Sequence, residues 1–270
     1  MITIPADLAQ VLDAAWGKTC RVPGFLQENE ARFLGLLAAC IPASGLILEI
    51  GSFKGRSTVM LASVAAHYGL GPVVAIDPHN SNLSTEHGQP VPASSYDDFL
   101  NSLRTAGVTE HVEFHHAFST EISATWNRPI RLLWIDGDHS YAGAKADFDG
   151  FAHHLSPLGM VALHDTLNAI PGPIRVFVED VLRSSQYGAA GFVHSIGWAQ
   201  FRPEDGKKFD ERRAWLARRA SRLVPFATQE TQLSGFRKIQ YKLHRSRIPR
   251  AFLSPAEWGA ILDPSSAESP

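Results

Sequence analysis

What most constrains this chain is alternation: short apolar runs rich in β-branched residues take turns with segments of helical period. Residues 45–50 read as a buried strand that stops at Gly51, and Val59, Leu61, Ala62, Ala65 and Ala66 give residues 56–68 one apolar face to pack. Residues 73–77, 112–115, 130–136 and 160–165 read as further strands. Helices are expected over 96–106, 142–155 and 173–184, and a closing strand pair, 192–195 and 198–201, around Gly197. Strands separated by helices in this order require a mainly parallel sheet with both faces covered, a doubly wound α/β architecture.

Two regions lie outside the pattern. Residues 1–44 read as a helical cap, amphipathic over 30–40. From Pro203 the chain turns basic: Lys207, Lys208, Arg212, Arg213, Arg218, Arg219 and Arg222 crowd together, and the bias continues from Arg237 to Arg250. A solvated helical face is the plain reading of such a run; an anionic acceptor, a membrane surface or a partner subunit are the others. The expected organisation is therefore a cap at 1–44, a sheet domain at 45–202 and a basic helical extension at 203–270, with a disordered tail from Pro264.

Composition narrows the function classes. With 270 residues, 44% of them hydrophobic, the chain can bury a full core, and a net charge of −2 excludes a protein-wide basic field for nucleic acid. Cys20 and Cys40 form neither a disulfide framework nor a metal-ligand pair, so free thiols are expected. No secretory pattern opens the sequence and no apolar run reaches the ~18 residues of a membrane span, so a soluble, cytoplasmic protein is expected.

In a doubly wound sheet, ligands bind at the carboxyl ends of the strands, and the unusual residues of this sequence stand there. Glu49-Ile50-Gly51-Ser52-Phe53-Lys54-Gly55-Arg56-Ser57-Thr58 is a turn whose glycines let backbone approach a ligand, ahead of a helix N-terminus with free N–H groups. It is neither GxGxxG nor the phosphate loop, which disfavours a nicotinamide oxidoreductase or a nucleotide triphosphatase. Asp77 ends the next strand, where a carboxylate accepts both hydrogens of a ribose diol. Asp136, Asp138 and His139 cluster at one strand tip and His164, Asp165 and Thr166 at the neighbouring one. Asp138 or Ser140 would suit the cap of the following helix. Capping does not account for Asp136 and Asp165 together; both could converge on one hard divalent cation.

In order and spacing, EIGSFKGRST, VVAIDPH, HHAFSTE, LLWIDGDHSYAGAKADF and LSPLGMVALHDT resemble the class I S-adenosylmethionine-dependent methyltransferases, the family that includes catechol-type and macrolide-sugar O-methyltransferases. The resemblance covers roughly residues 45–202 and implies a seven-stranded, Rossmann-like sheet binding S-adenosylmethionine. By that likeness Glu49, Gly51 and Ser57 lie near the methionine part, with Ser52 and Gly55 in the same turn. Asp77 takes the ribose, and Phe118 and Ser119 border the adenine. Asp136 and Asp165 match metal-ligand positions, and Asp136 also borders the cofactor.

His139 stands three residues after Asp136, where catechol-type members carry a lysine base and some sugar methyltransferases a histidine. Its ordinary pKa suits a general base acting on a metal-bound hydroxyl. The catechol-type pattern follows its second aspartate with asparagine; here Thr166 occupies that place as the third candidate ligand, with water, Asp138 or His164 as substitutes. The resulting expectation is a transferase that uses S-adenosylmethionine and Mg²⁺ or a similar cation to methylate a hydroxyl of a small polar or saccharide-like acceptor. Homo-oligomerisation through the C-terminal region is expected as well. The alternatives are a metal-independent N- or O-methyltransferase and a non-catalytic cofactor-binding scaffold. The polar connection 79–93 reads as a binding loop in which His87 is a solvent-exposed histidine.

Overall fold

A computed structural model describes residues 4–80, 85–86, 89–90, 94–228, 233–251 and 254–262. His87 and the tail from Pro264 lie outside the described residues.

Helices α1 (Leu8–Thr19) and α2 (Glu28–Cys40) precede strand β1 (Leu46–Ile50), helix α3 (Arg56–Tyr68) and strand β2 (Val73–Ile76). A two-stranded pair, β3 (Thr85–Glu86) and β4 (Gln89–Pro90), leads into α4 (Tyr96–Ala106), β5 (Val112–His115), α5 (Ser119–Ser123) and β6 (Ile130–Ile135). Then come α6 (Tyr141–Phe151), β7 (Leu155–Leu163), α7 (Pro171–Val176), β8 (Tyr187–Val193) and β9 (Ile196–Phe201). Helices α8 (Asp210–Ala220), α9 (Gly235–Ser246) and α10 (Pro255–Ile261) follow the sheet.

The main sheet has seven strands in the order β5-β2-β1-β6-β7-β9-β8, and every pairing from β5 to β7 is parallel. Only β9 runs against its neighbours. Period-2 alternation sends Ile47, Leu132, Trp134, Met160 and Ala162 into the core under α1–α4, and Leu48, Ile50, Leu133, Ile135, Val161 and Leu163 into the core on the opposite face. Because the strand order reverses direction at β1, the connections leaving β1 and β6 turn to opposite faces of the sheet, α3 to one and α6 to the other, and a crevice opens above these carboxyl ends.

Several boundaries differ from the sequence expectation; the closing strands expected over 192–195 and 198–201 run Tyr187–Val193 and Ile196–Phe201. The helix expected to reach residue 155 ends at Phe151, and β7 begins at Leu155 rather than at 160. Residues 156–159, which fall between the expected helix and strand, belong to β7; the sheet accommodates Pro157 and Gly159 as a register shift between Ile130 and Leu132 on the partner strand, with Leu158 at φ +68. The helix expected over 173–184 starts at Pro171 and passes into a π-helical turn at Phe177–Leu182. The chain's two ends meet: Trp258 of α10 is fully buried, its ring 5.8 Å from Phe33 of α2 and 4.8 Å from Trp198 of β9.

Candidate active site

The turn after β1 is built for close approach. Gly51 sits at φ +84, and a Cβ there would stand 2.3 Å from the Asp136 carbonyl oxygen, so only glycine lets the tips of β1 and β6 meet. Asp77, just past β2, holds this turn from below. Its Oδ2 accepts the N–H groups of Ser52 and Phe53 at 2.8 and 2.7 Å, and its Oδ1 accepts that of His79 at 2.6 Å. Oδ1 keeps a second lone-pair direction for a ligand hydroxyl.

A cleft of about 540 Å³ opens above these strand ends, within the range of small-molecule sites. It is lined by Gly51, Ser52, Ser57, Asp77, Phe118, Ser119, Asp136, His139 and Asp165, so nine of the expected site residues are gathered around one space. Three are not among its lining. Glu49 is fully buried and its carboxylate accepts the hydroxyls of Ser57 and Thr58, so it braces the first turn of α3 instead of facing the cleft. Burial, outweighing those two hydrogen bonds, pushes the Glu49 carboxyl up to about 8. Gly55 caps α3 at φ +88, where an added Cβ would meet the Phe99 ring at 3.1 Å. Thr166, read as a metal ligand, is fully buried, and its hydroxyl donates to the Ser195 carbonyl at 2.6 Å.

On the far wall, Phe118 is about half exposed and Ser119 donates its hydroxyl to Asp147. Sequence reading did not single out Asp147, which looks like an ordinary polar position of α6. It is buried against the cleft, and burial pushes its carboxyl up to about 6.

Asp136, His139 and Asp165 each offer a ligand atom, all within 4.8 Å of one another. His139 Nε2 lies 3.5 Å from Asp136 Oδ1 and 3.7 Å from Asp165 Oδ2. Burial opposes protonation of His139, but the Asp136 hydrogen bond and the charges of Asp136 and Asp165 prevail and raise its pKa. Burial likewise opposes ionisation of Asp136, and the adjacent His164 and His139 nevertheless hold its carboxyl below the usual range. Asp138 caps locally: it accepts the Ser140 N–H at 2.8 Å, and Ser140 caps α6 by accepting from the Gly143 N–H at 2.9 Å. Asp165 itself adopts φ +56; Phe53 and His79, following β1 and β2, are also left-handed at φ +46 and +47. Non-glycine residues in this region store strain that surrounding structure must hold, and these three stand at strand ends around the crevice.

Behind this cluster His164 meets a residue that sequence reading did not single out, Glu30. His164 Nδ1 is 3.1 Å from Asp136 Oδ1, and its Nε2 is 3.4 Å from Glu30 Oε2 on α2. Glu30 is 1% exposed and also accepts from the backbone N–H and hydroxyl of Ser195, from the Gln27 N–H at 3.0 Å, and lies 3.1 Å from His194 Nδ1. Burial alone would raise its pKa; His164 and the hydroxyl and N–H donors more than reverse that and bring the carboxyl down to about 2. With Glu30 on one side and Asp136 and Asp165 on the other, His164 is raised well above the ordinary histidine value despite its burial. The N-terminal helices thus reach the strand-end cluster through one imidazole.

Such a cluster can bind a cation or hold a proton at the foot of a cleft whose opposite wall can take a nucleoside. The profile of a family described as "Methyltransferase domain" matches residues 48–166, which run from within β1 to just past β7 and carry Asp77, Asp136, His139, His164 and Asp165 but not Glu30. Solved structures share the fold. The O-methyltransferase NovP superposes with a TM-score of 0.57 at 12% identity, covering 72% of this chain and 98% of its own. Cofactor-bound Rv0187 from MTB gives 0.52 at 19% identity over 74% and 91%. TomG from Streptomyces achromogenes, an O-methyltransferase of tomaymycin synthesis solved with SAM, gives 0.50 at 19% identity over 75% and 92%. Residues 48–166 thus match a methyltransferase domain, and the strand order of the sheet is in keeping with the fold these solved structures share.

Proposed function

We propose that the chain transfers a methyl group from S-adenosylmethionine to a hydroxyl oxygen of a small polar or saccharide-like acceptor, assisted by one divalent cation. The observation that carries this reading is the convergence of Asp136, His139 and Asp165 within 4.8 Å at the floor of the cleft beside Asp77. In this reading residues 45–202 form the cofactor-binding unit, 1–44 its cap and 203–270 its extension. Oxygen as the nucleophile is supported by the activities named for NovP and TomG.

The donor set fits a cation. Two carboxylate oxygens suit Mg²⁺ or Mn²⁺, and an imidazole beside them favours the latter. Asp136 and Asp165 would hold it, and it would supply the positive charge that lowers the acceptor hydroxyl's pKa. Asp77 accepts the ribose hydroxyls while the Ser52 and Phe53 N–H groups keep its carboxylate in place. Phe118 offers an apolar face to adenine, and Asp147 an acceptor for its amino group. His139 Nε2 takes the hydroxyl proton as the oxygen attacks the methyl carbon. The C–S bond breaks with its electron pair left on sulfur, yielding S-adenosylhomocysteine and the methyl ether; alignment of O, C and S supplies much of the acceleration.

The same 4.8 Å geometry supports a second role, His139 as third ligand. The two roles separate in His139→Gln: a base leaves metal affinity intact and loses kcat, whereas a ligand loses metal affinity. The primary test is calorimetric titration with S-adenosylhomocysteine, with and without Mg²⁺ or Mn²⁺, on the wild type and Asp77→Ala, followed by turnover of hydroxylated acceptors with chelator. Asp77→Ala is expected to weaken cofactor binding by tenfold or more, and chelator to stop turnover while cofactor still binds. Undiminished turnover in chelator would leave a metal-independent transferase; no cofactor binding at all would leave a scaffold.

A further inference from the structure

Helix α9 carries an apolar stripe that none of the described residues covers. Phe236, Ile239 and Leu243 are 72%, 64% and 50% exposed, three of the five exposed large hydrophobic residues among those described. Their spacing of three and four residues places them on one side of the helix, and at about 100° per residue Tyr241 falls on the opposite side. Tyr241 is buried and donates its hydroxyl to the Leu167 carbonyl, so the helix is anchored by one face and presents the other outward.

Charge says what the outward face fits. Residues 231–256 contain six Lys and Arg and no Asp or Glu, in a chain whose net charge is −2. Arg237, Lys238, Lys242 and Arg247 are exposed around the stripe. A helix with apolar side chains on one face and cations beside them suits an anionic bilayer surface, where the side chains enter the headgroup boundary and the cations meet phosphates. A twofold partner copy would instead bring two such cationic segments together, which like-charge repulsion disfavours.

We propose that α9 docks this protein on anionic phospholipid membranes by inserting Phe236, Ile239 and Leu243, with Lys238 and Lys242 contacting headgroup phosphates. The helix is tied to the catalytic side of the fold. Arg245 donates to Asn168 Oδ1 at 3.1 Å, and Asn168 donates to Asp165, so docking engages a helix that touches the loop carrying that carboxylate. The inference stands apart from the methyl-transfer chemistry, because its readout requires neither cofactor nor acceptor.

The experiment is co-sedimentation of the full-length protein with phosphatidylcholine vesicles, with and without phosphatidylglycerol, at low and high salt. Binding is expected only to the phosphatidylglycerol vesicles and is expected to weaken as salt rises. Lys238→Glu with Lys242→Glu is expected to lower the partition coefficient roughly tenfold or more. Ile239→Asp with Leu243→Asp should reduce it comparably while circular dichroism and S-adenosylhomocysteine binding stay at wild-type levels. Failure of the wild type to bind phosphatidylglycerol vesicles at low salt overturns the proposal. So does equal binding by both double variants, or a salt-resistant dimer in sedimentation equilibrium that Ile239→Asp dissolves.

Discussion

Replacing Glu30 by glutamine tests the most unusual electrostatic feature of the fold. The carboxylate is 1% exposed, and its carboxyl is held at about 2 against an ordinary 4.5. At about 1.4 kcal/mol per tenfold change in proton affinity, that displacement corresponds to roughly 3 kcal/mol of native-state stabilisation. Glutamine keeps the shape but loses the charge, and its NH₂ would have to face donors from Gln27, Ser195 and His164. For a chain of this size a loss of about 3 kcal/mol lowers Tm by roughly 6–12 °C. The sign with pH follows from the lowered pKa. The carboxylate's contribution is fully present above about 4.5 and is lost as pH falls from there toward 2. The Tm gap between wild type and Glu30→Gln, followed by circular dichroism melts across pH, is therefore expected to be widest near neutrality and to close in acid. Metal affinity should also drop on the order of 10- to 100-fold, because His164 loses the partner that orients it toward Asp136. A Glu30→Gln variant melting within about 2 °C of wild type at neutral pH would refute the reasoning, since a buried ionised carboxylate cannot be removed that cheaply.

Two further substitutions probe the cleft. Gly51→Ala puts a methyl 2.3 Å from the Asp136 carbonyl at φ +84, so a loss of about 3 kcal/mol or more and weakened S-adenosylhomocysteine binding are expected; an unaltered melt would show that the strand tips are not in contact. Asp147 is raised from 3.8 to about 6 by burial, so its ionisation penalises the folded state from pH 3.8 upward and most fully above 6. Asp147→Asn, which can still accept the Ser119 hydroxyl, is expected to melt above wild type at neutral pH by up to roughly 3 kcal/mol in stability and to match it near pH 4. No gain at neutral pH would mean that the wild-type carboxylate ionises there without cost.

How much of this was legible in the sequence depends on whether a residue's partners are local. The sheet was readable because β1, β2, β6 and the end of β7 spell nearly unbroken buried apolar runs, stopping at Gly51, Asp77, Asp136 and His164. The tips announced the cleft for the same reason: an aspartate after a buried strand has few inexpensive explanations. The start of β7 was not legible because Pro157 and Gly159 are residue types that a bulge and a turn share, and only the register of β6 against β7 tells them apart. Glu49 shows the opposite failure. Its motif was recognised, yet the hydroxyls of Ser57 and Thr58, in the first turn of α3, take its carboxylate from the cleft.

Glu30 marks where sequence reading stops. In the first turn of α2, three residues after the N-cap Gln27, it has the position and the N–H partner of an ordinary capping glutamate. Its other partners, His164, His194 and Ser195, are 134 to 165 residues away, and their spacing from Glu30 carries no pattern. Yet one local conflict was visible. At about 100° per residue Glu30 falls on the same face of the helix as Phe33, Leu34 and Leu37, all of them buried. A carboxylate fixed at the margin of such a face must either snorkel to water or find donors inside. Here it found them behind a strand end, and α2 thereby became part of the site's wall as well as its cap.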